Sequence, residues 1–228
     1  MPEPVSIGLL TTSVVAGLIR YAKRKFRQVK PLFDVVAASV LLIIFSPMVG
    51  LVALLVKIFD GSPVIYGQIR VGKNGHLFQM YKFRTMRLDA EQTSGPVWAR
   101  DDDPRITRLG RILRKTHLDE LPQLVNVIKG EMSLVGPRPE RPHFVEQLTG
   151  VIPEYSKRLA VKPGITGLAQ VKHRAEQDLT DTRKKLQLDL EYIDRMSWGT
   201  DFKILIATLG KVRPDKDNGT TVPTGRAV

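Results

Sequence analysis

Asp119 and Glu120 stand side by side in Thr116-His117-Leu118-Asp119-Glu120-Leu121-Pro122-Gln123-Leu124, and Gly136-Pro137-Arg138-Pro139-Glu140 follows a short way on. Two neighbouring carboxylates and an arginine between two prolines suit a phosphate-bearing substrate. A carboxylate can act as a nucleophile and split one phosphoryl transfer into two steps. An ionised carboxylate is repelled by a diphosphate, so such chemistry calls for Mg²⁺ or arginines to neutralise the phosphates. Arg138 fits that need, because a guanidinium grips phosphate through two N–H groups and its backbone is fixed on both sides.

Pro122 sets the local geometry. Proline is tolerated in the first turn of a helix and costly deeper inside. Leu118, Leu121, Leu124, Val125 and Ile128 recur at helical spacing. The pattern predicts a helix start near residues 118 to 121, with both carboxylates at its positive end. Adjacent helical residues point in different directions, so one carboxylate can face substrate while the other holds a metal. Helix capping is the competing reading of the pair, since Thr116-x-x-Asp119 fits a capping box. A start at Thr116 would leave Pro122 deep in the helix, which opposes it. Arg138 alone also reads as a solvated turn residue.

Upstream, Val35 to Val56 carries no charge, and its 22 residues span roughly 33 Å as a helix, enough for a bilayer. One ordinary transmembrane helix is a serious reading. Ser46-Pro47 at the centre opposes it, because proline frees a carbonyl and bends the helix. Basic residues also crowd both flanks, with Arg20, Lys23, Arg24, Lys25, Arg27 and Lys30 before and Lys57, Arg70, Lys73, Lys82, Arg84 and Arg87 after. The positive-inside rule places both flanks in the cytoplasm. A re-entrant helix, broken at Ser46-Pro47 with Ser46 bonding the freed backbone, satisfies both observations.

The chain has 228 residues and a formal net charge of +12. Beside the apolar run, that surplus points to anionic membrane lipid rather than nucleic acid, for which no motif is present. No cysteine is present, which excludes disulfides and thiolate metal sites. Val5 to Ile19 reads as an interfacial helix. Val64-Ile65-Tyr66 and Leu77 to Tyr81 flank Arg70 to Gly75, and Asn74-Gly75 signals a β-hairpin. Residues 87 to 104 read as a polar loop, with Asp101, Asp102 and Asp103 a solvated turn before Pro104 rather than a metal site. Thr107 to Lys115 reads as a basic helix. Lys162-Pro163-Gly164-Ile165-Thr166-Gly167 reads as a turn-rich passage. Residues 174 to 196 read as a charged helix, and Trp198 to Leu209 as an aromatic-rich amphipathic one. The expected class is α+β, mainly helical. The division is an extension over 1–29, the membrane helix over 30–60, a catalytic domain over 61–211 and a mobile tail over 212–228.

Taken together the motifs resemble the bacterial sugar transferases, the monotopic phosphoglycosyl transferases, from about Lys30 to Leu209. The likeness is carried by Ser46-Pro47, Gln68-x-Arg70-x-Gly72, Lys82-Phe83-Arg84-Thr85-Met86, Asp103-Pro104-Arg105-Ile106-Thr107, Asp119-Glu120-Leu121-Pro122-Gln123, Gly136-Pro137-Arg138-Pro139 and Lys162 to Gly167. It implies transfer of a sugar 1-phosphate from a UDP-sugar to a polyprenyl phosphate such as undecaprenyl phosphate. UMP is released and a lipid-linked glycan is begun, as in exopolysaccharide assembly. It also implies Mg²⁺, a re-entrant helix in the bacterial inner membrane and catalysis on the cytoplasmic face. Asp119 is then the nucleophile, Glu120 the metal-associated carboxylate and Arg138 a phosphate ligand, with Arg84, Lys82 and Arg70 in support. The chain looks like a short, core-only member, and a homo-oligomer is compatible with it. Two rival readings remain: a single-span anchor carrying a basic domain that binds anionic lipid or nucleic acid, and a Mg²⁺-dependent phosphohydrolase.

Overall fold

Residues 20 to 59 contain long apolar stretches without glycine except Gly50, and they extend a helix that begins further upstream. In the computed structural model, which describes residues 7–90, 103–173 and 179–211, this is helix α1, Ile7–Phe59. It runs for 53 residues with Pro31 and Pro47 inside it. From Ile7 on, the expected extension and the expected membrane helix are therefore joined in one helix. The expected break at Ser46-Pro47 does not interrupt it either, since the backbone stays helical through both prolines. Pro47 has no N–H for the carbonyl of Ile43, one turn back, and Ser46 Oγ donates to that carbonyl at 2.8 Å.

One face of α1 docks on the domain on both sides of Pro47. Phe26, Lys30, Asp34 and Ala38 are buried at four-residue spacing, and so are Val52 and Val56 further along. Between them, Ile43 to Met48 are all exposed, six residues in succession that cover the whole circumference of the helix. The two limbs are thus held by the domain while the segment around Pro47 stands clear of it. The described part of α1 from Tyr21 to Phe59 is long and apolar enough to cross a membrane.

Polar contacts fix the docking. Lys30 Nζ lies 2.5 Å from Asp201 and 3.4 Å from Asp34. Ser133 Oγ donates to Asp34 at 2.7 Å, and Tyr192 Oη lies 2.9 Å from Asp201. Lys30 is therefore not one of the free basic charges flanking the apolar run; it is a buried anchor. Trp198 also packs edge-on against Phe26 and Phe33 of α1, with ring centres 4.9 and 4.8 Å apart.

The hairpin pairs β1, Ile65–Val71, with β2, Leu77–Phe83, in antiparallel register. Its strands are longer than the sequence suggests: Arg70 and Val71 belong to β1, and Lys82 to β2. Asn74 and Gly75 both take positive φ, 56° and 83°, which matches the twist of a tight hairpin turn. Helix α2, Arg108–Thr116, starts at Thr107, whose hydroxyl accepts from the N–H of Gly110 at 2.8 Å. A 3-10 turn, Leu118–Glu120, and helix α3, Gln123–Ile128, follow. Strand β3, Ser133–Val135, pairs in parallel with β4, Gly164–Thr166. This pair is absent from the sequence reading. Three-residue strands have no alternation to detect, and β3 is buried throughout. Helices α4, Pro142–Val151, α5, Leu168–Lys172, α6, Leu179–Arg195, and α7, Trp198–Lys211, complete the described chain. Along α7, Phe202, Ile206 and Leu209 form an exposed apolar stripe. The 212–228 tail lies outside the described residues.

Candidate active site

Asp119 and Glu120 sit in the 3-10 turn, just before α3 rather than within it. Pro122 precedes the first residue of α3 with helical φ of −61°, as its ring requires. The capping-box alternative does not form: Thr116 Oγ1 donates backward to Ile112 O at 2.9 Å and Leu113 O at 3.2 Å. His117 adopts the left-handed conformation, φ 58° and ψ 15°, that ends α2 and swings the chain into the turn.

Strand β2 brings Lys82 to this turn. Asn126, fully buried on α3, fixes the strand: its side chain donates to Gln79 O at 2.7 Å and accepts from Tyr81 N at 3.0 Å. Lys82 Nζ donates to Glu120 Oε1 at 2.8 Å and lies 3.9 Å from Asp119 Oδ2. Arg138 Nη2 donates to the same Glu120 oxygen at 2.7 Å. Glu120 is thus held by two cations. Asp119 is 5% exposed and makes no hydrogen bond through its side chain to any described residue.

The two acids are pushed apart. Burial alone would raise Glu120, but Arg138 and Lys82 outweigh it and hold its carboxyl well below the usual range. Burial raises Asp119, Lys82 pulls it back and the Glu120 charge adds to the rise. Burial also lowers Lys82, against the attraction of Glu120. Glu120 is a fixed anion inside a cationic clamp, while Asp119 keeps its lone pairs free.

Arg138 is positioned by backbone packed on backbone. Gly136 N donates to Thr166 O and Gly164 N to Pro137 O, both at 2.9 Å. A side chain on Gly136 would meet Lys162 O at 2.5 Å, and one on Gly164 or Gly167 would collide with Gly136. The turn-rich Lys162 to Gly167 passage is therefore the clamp of the Arg138 loop. Arg158 secures its other side: Nη2 donates to the carbonyl of Arg138 at 2.9 Å, and Nη1 to Tyr155 at 2.6 Å. Asp189 on α6 accepts from Arg158 Nε at 2.9 Å, and both residues are buried. The sequence reading missed Arg158, Asp189 and Tyr155; Tyr155 is only three residues from Arg158, but Asp189 is 31 and Arg138 is 20 residues away, too far for spacing to join them.

A cavity of about 480 Å³ opens against Asp119, Glu120, Lys82 and Arg138, a volume typical of small-molecule sites. Arg70, Arg84, Arg87, Arg105, Arg114 and Arg141 also line it. All the predicted phosphate-binding residues are therefore brought together, but with different freedom. Arg84 donates to the carbonyl of Asp60 through Nη2, while its Nη1 is buried without a hydrogen-bond partner, a donor aligned with an anion's needs. Arg70 is largely occupied. It donates to Pro139 O at 3.0 Å and Gln68 Oε1 at 2.6 Å, and burial lowers it to about 10. Arg114, one turn before Asp119, donates to Thr85 Oγ1 at 2.9 Å. Asp103 is not a solvated residue: it is buried and accepts from Arg105 Nε at 2.8 Å and Nη2 at 2.6 Å. Asp101 and Asp102 lie outside the described residues.

For Mg²⁺, the donors fit a partial site. Among the described residues no three His, Asp or Glu side chains converge on one point. Mg²⁺ commonly takes one or two carboxylates and completes its shell with water and substrate phosphate. Glu120 receives both cations on Oε1, so Oε2 accepts from neither of them.

The family model described as bacterial sugar transferase matches residues 25–214. The chain belongs to the bacterial sugar transferase family. The matched stretch contains every residue of the site just described. An N-acetylgalactosaminephosphotransferase of Aeromonas hydrophila, named for UDP-N-acetylgalactosamine and undecaprenyl phosphate, is 45% identical over 77% of this chain and 41% of its own. The UDP-glucose:undecaprenyl-phosphate glucose-1-phosphate transferase of Escherichia coli is 42% identical over 81% of this chain and 40% of its own. The exopolysaccharide production protein PSS of Rhizobium leguminosarum is 40% identical over 79% of this chain and 92% of its own. The aligned region thus spans about two-fifths of the first two relatives and most of the third.

Proposed function

We propose that this chain transfers a sugar 1-phosphate from a UDP-sugar to a polyprenyl phosphate at a membrane surface, with Asp119 as a covalent nucleophile. One observation carries the reading: a buried, unbonded Asp119 carboxylate lies beside a Glu120 locked by Lys82 and Arg138, on the wall of an arginine-lined cavity. The names of the relatives supply the substrate class.

Asp119 attacks the sugar-bearing phosphorus of the UDP-sugar. The bond between that phosphorus and the bridging oxygen breaks, and UMP leaves with the oxygen. The lipid phosphate then attacks the aspartyl phosphosugar, and the acyl-phosphate bond breaks to restore Asp119. Arg84 Nη1 and Arg138 stabilise the phosphate charge, and Lys82 shields Asp119 from it. Mg²⁺, held by Glu120 and the substrate, would neutralise the diphosphate. Keeping Glu120 in its clamp prevents it from competing as a second nucleophile.

The membrane reading is re-entrant, with both flanks on the cytoplasmic face. It is supported by the two limbs of α1 docking on one domain, by Ser46 bonding the Ile43 carbonyl that Pro47 leaves free, and by exposed Arg24, Lys25, Lys57 and Lys73 on both sides. Single cysteines at Lys25 and Lys73 should both be shielded from an impermeant periplasmic thiol reagent, and labelling of either one refutes the hairpin.

The mechanism is tested without acceptor. Enzyme and UDP-sugar should release at most about one UMP per active site, the burst of covalent catalysis. Mass spectrometry should find sugar phosphate on the Asp119 peptide. Asp119→Asn should lower turnover by at least about 10³-fold and abolish the adduct. Normal turnover in Asp119→Asn, or UMP release only after lipid is added, replaces this mechanism with direct transfer.

A further inference from the structure

The in-line geometry of phosphoryl transfer constrains where the acceptor can stand. Attacking and leaving oxygens lie on opposite sides of phosphorus. Asp119 attacks opposite the UMP oxygen, and the lipid phosphate must then attack opposite the Asp119 oxygen. The lipid phosphate therefore takes the position that UMP vacates. One phosphate position must serve two molecules whose other ends, a uridine and a polyprenyl chain, have nothing in common.

The protein has two cavities that meet on a shared wall. Beside the arginine-lined cavity lies a second, of about 470 Å³, with an apolar side of Leu41, Phe45, Leu121, Leu124, Ile165 and Val171 and a polar side that includes Thr166, Gln170 and Thr208. Among the described residues, His117, Glu120 and Arg138 line both. The linings differ in kind. Among the described residues, the first cavity carries seven arginines and Lys82, whereas the second has Arg138 and Lys185 as its permanent cations. The second cavity also reaches α1 where the helix leaves the domain. Phe45 belongs to the exposed 43–48 segment beside Pro47, and Val40, Ile43 and Ile44 next to it are exposed apolar residues.

We propose that this second cavity holds the phosphate-proximal isoprene units of the lipid acceptor and presents its phosphate at the His117–Glu120–Arg138 wall. The inference rests on the transferase reading above and adds where the acceptor enters. The apolar side of the second cavity, next to α1, suits hydrocarbon, whereas the seven arginines and Lys82 of the first suit a nucleoside diphosphate. Arg138 contacts the departing and the arriving phosphate in turn. The oxygen of the lipid phosphate forms the new bond to phosphorus, the acyl-phosphate bond to Asp119 breaks, and no net proton is needed. The rest of the polyprenyl chain runs along the exposed face of α1 into lipid.

The test separates the two half-reactions in the full chain. Val171→Trp and Leu41→Trp fill the second cavity, and neither residue lines the first or belongs to the clamp of the Arg138 loop. Each should leave the UMP burst intact and slow discharge of the aspartyl adduct by polyprenyl phosphate about tenfold or more, the scale on which apolar pockets discriminate. Val171→Met should restore most of the rate. A polyprenyl phosphate with a diazirine in its first isoprene units should label residues 164–172. Discharge at the wild-type rate in both tryptophan variants, or labelling confined to outer α1 residues such as Val40 and Ile44, overturns the proposal. A wild-type protein with no burst refutes the covalent intermediate instead, and the labelling pattern then decides the cavity alone.

Discussion

Two of the buried charge clusters, the anchor under α1 and the site, are built differently. In the anchor under α1, every group has a partner: Lys30 joins Asp34 and Asp201, Asp34 takes the Ser133 hydroxyl, and Asp201 takes Tyr192. In the site, Glu120 has two partners, Asp119 has no hydrogen bond through its side chain to a described residue, and Arg84 Nη1 is an orphan. Satisfied buried charge holds structure together, whereas unsatisfied charge is a cost that a substrate can relieve. The contrast separates what fastens the membrane helix from what meets the ligand.

Substitutions in the two clusters should therefore part cleanly. Asp201→Ala leaves Lys30 buried without its 2.5 Å partner and should destabilise the protein by about 3–5 kcal/mol, read by chemical denaturation in detergent. Asp119→Asn should change stability by no more than about 1 kcal/mol while abolishing the burst. Equal destabilisation by both would erase the distinction.

Between these extremes stands Arg158, which belongs to a satisfied pair yet touches the site through the Arg138 carbonyl. Arg158→Lys keeps the charge and loses the fork. It should lower kcat/KM for the UDP-sugar by about 10- to 100-fold through a displaced Arg138, with the adduct still forming at Asp119. Activity that survives unchanged would confine Arg158 to the fold.

The smallest effect is a shift in pH dependence. Asp119 must be ionised to attack, and burial raises it, so activity falls as pH drops through a point above the ordinary carboxylate range. Lys82 favours the ionised form. Lys82→Met should therefore raise Asp119 further and move the acid limb of kcat/KM to higher pH. Glu120, held low by Arg138 as well as Lys82, should contribute no limb there. An acid limb that moves to lower pH would show that Lys82 does not govern Asp119.

Much of the site was legible from local order. Pro122 located the helix start to within a turn, Asn74-Gly75 the hairpin, and Pro137-Arg138-Pro139 a rigid arginine. Each rests on backbone restrictions that act over a few residues, and those survive any tertiary context. Ser46 beside Pro47 announced its own hydrogen bond for the same reason. What the sequence could not disclose was set by long-range contact. Lys30 reads as a flanking charge but pairs with Asp201, 171 positions away. Asp103 reads as solvated but is buried against Arg105. Gly136, Gly164 and Gly167 read as turns, yet they are where two loops pack too closely for a side chain. Residue type and local order are enough to mark which residues could do phosphoryl chemistry and which segment could enter a membrane. Only the tertiary structure decided which charges are spent on one another and which are left for the substrate, because that depends on burial and on partners the chain brings together from far apart.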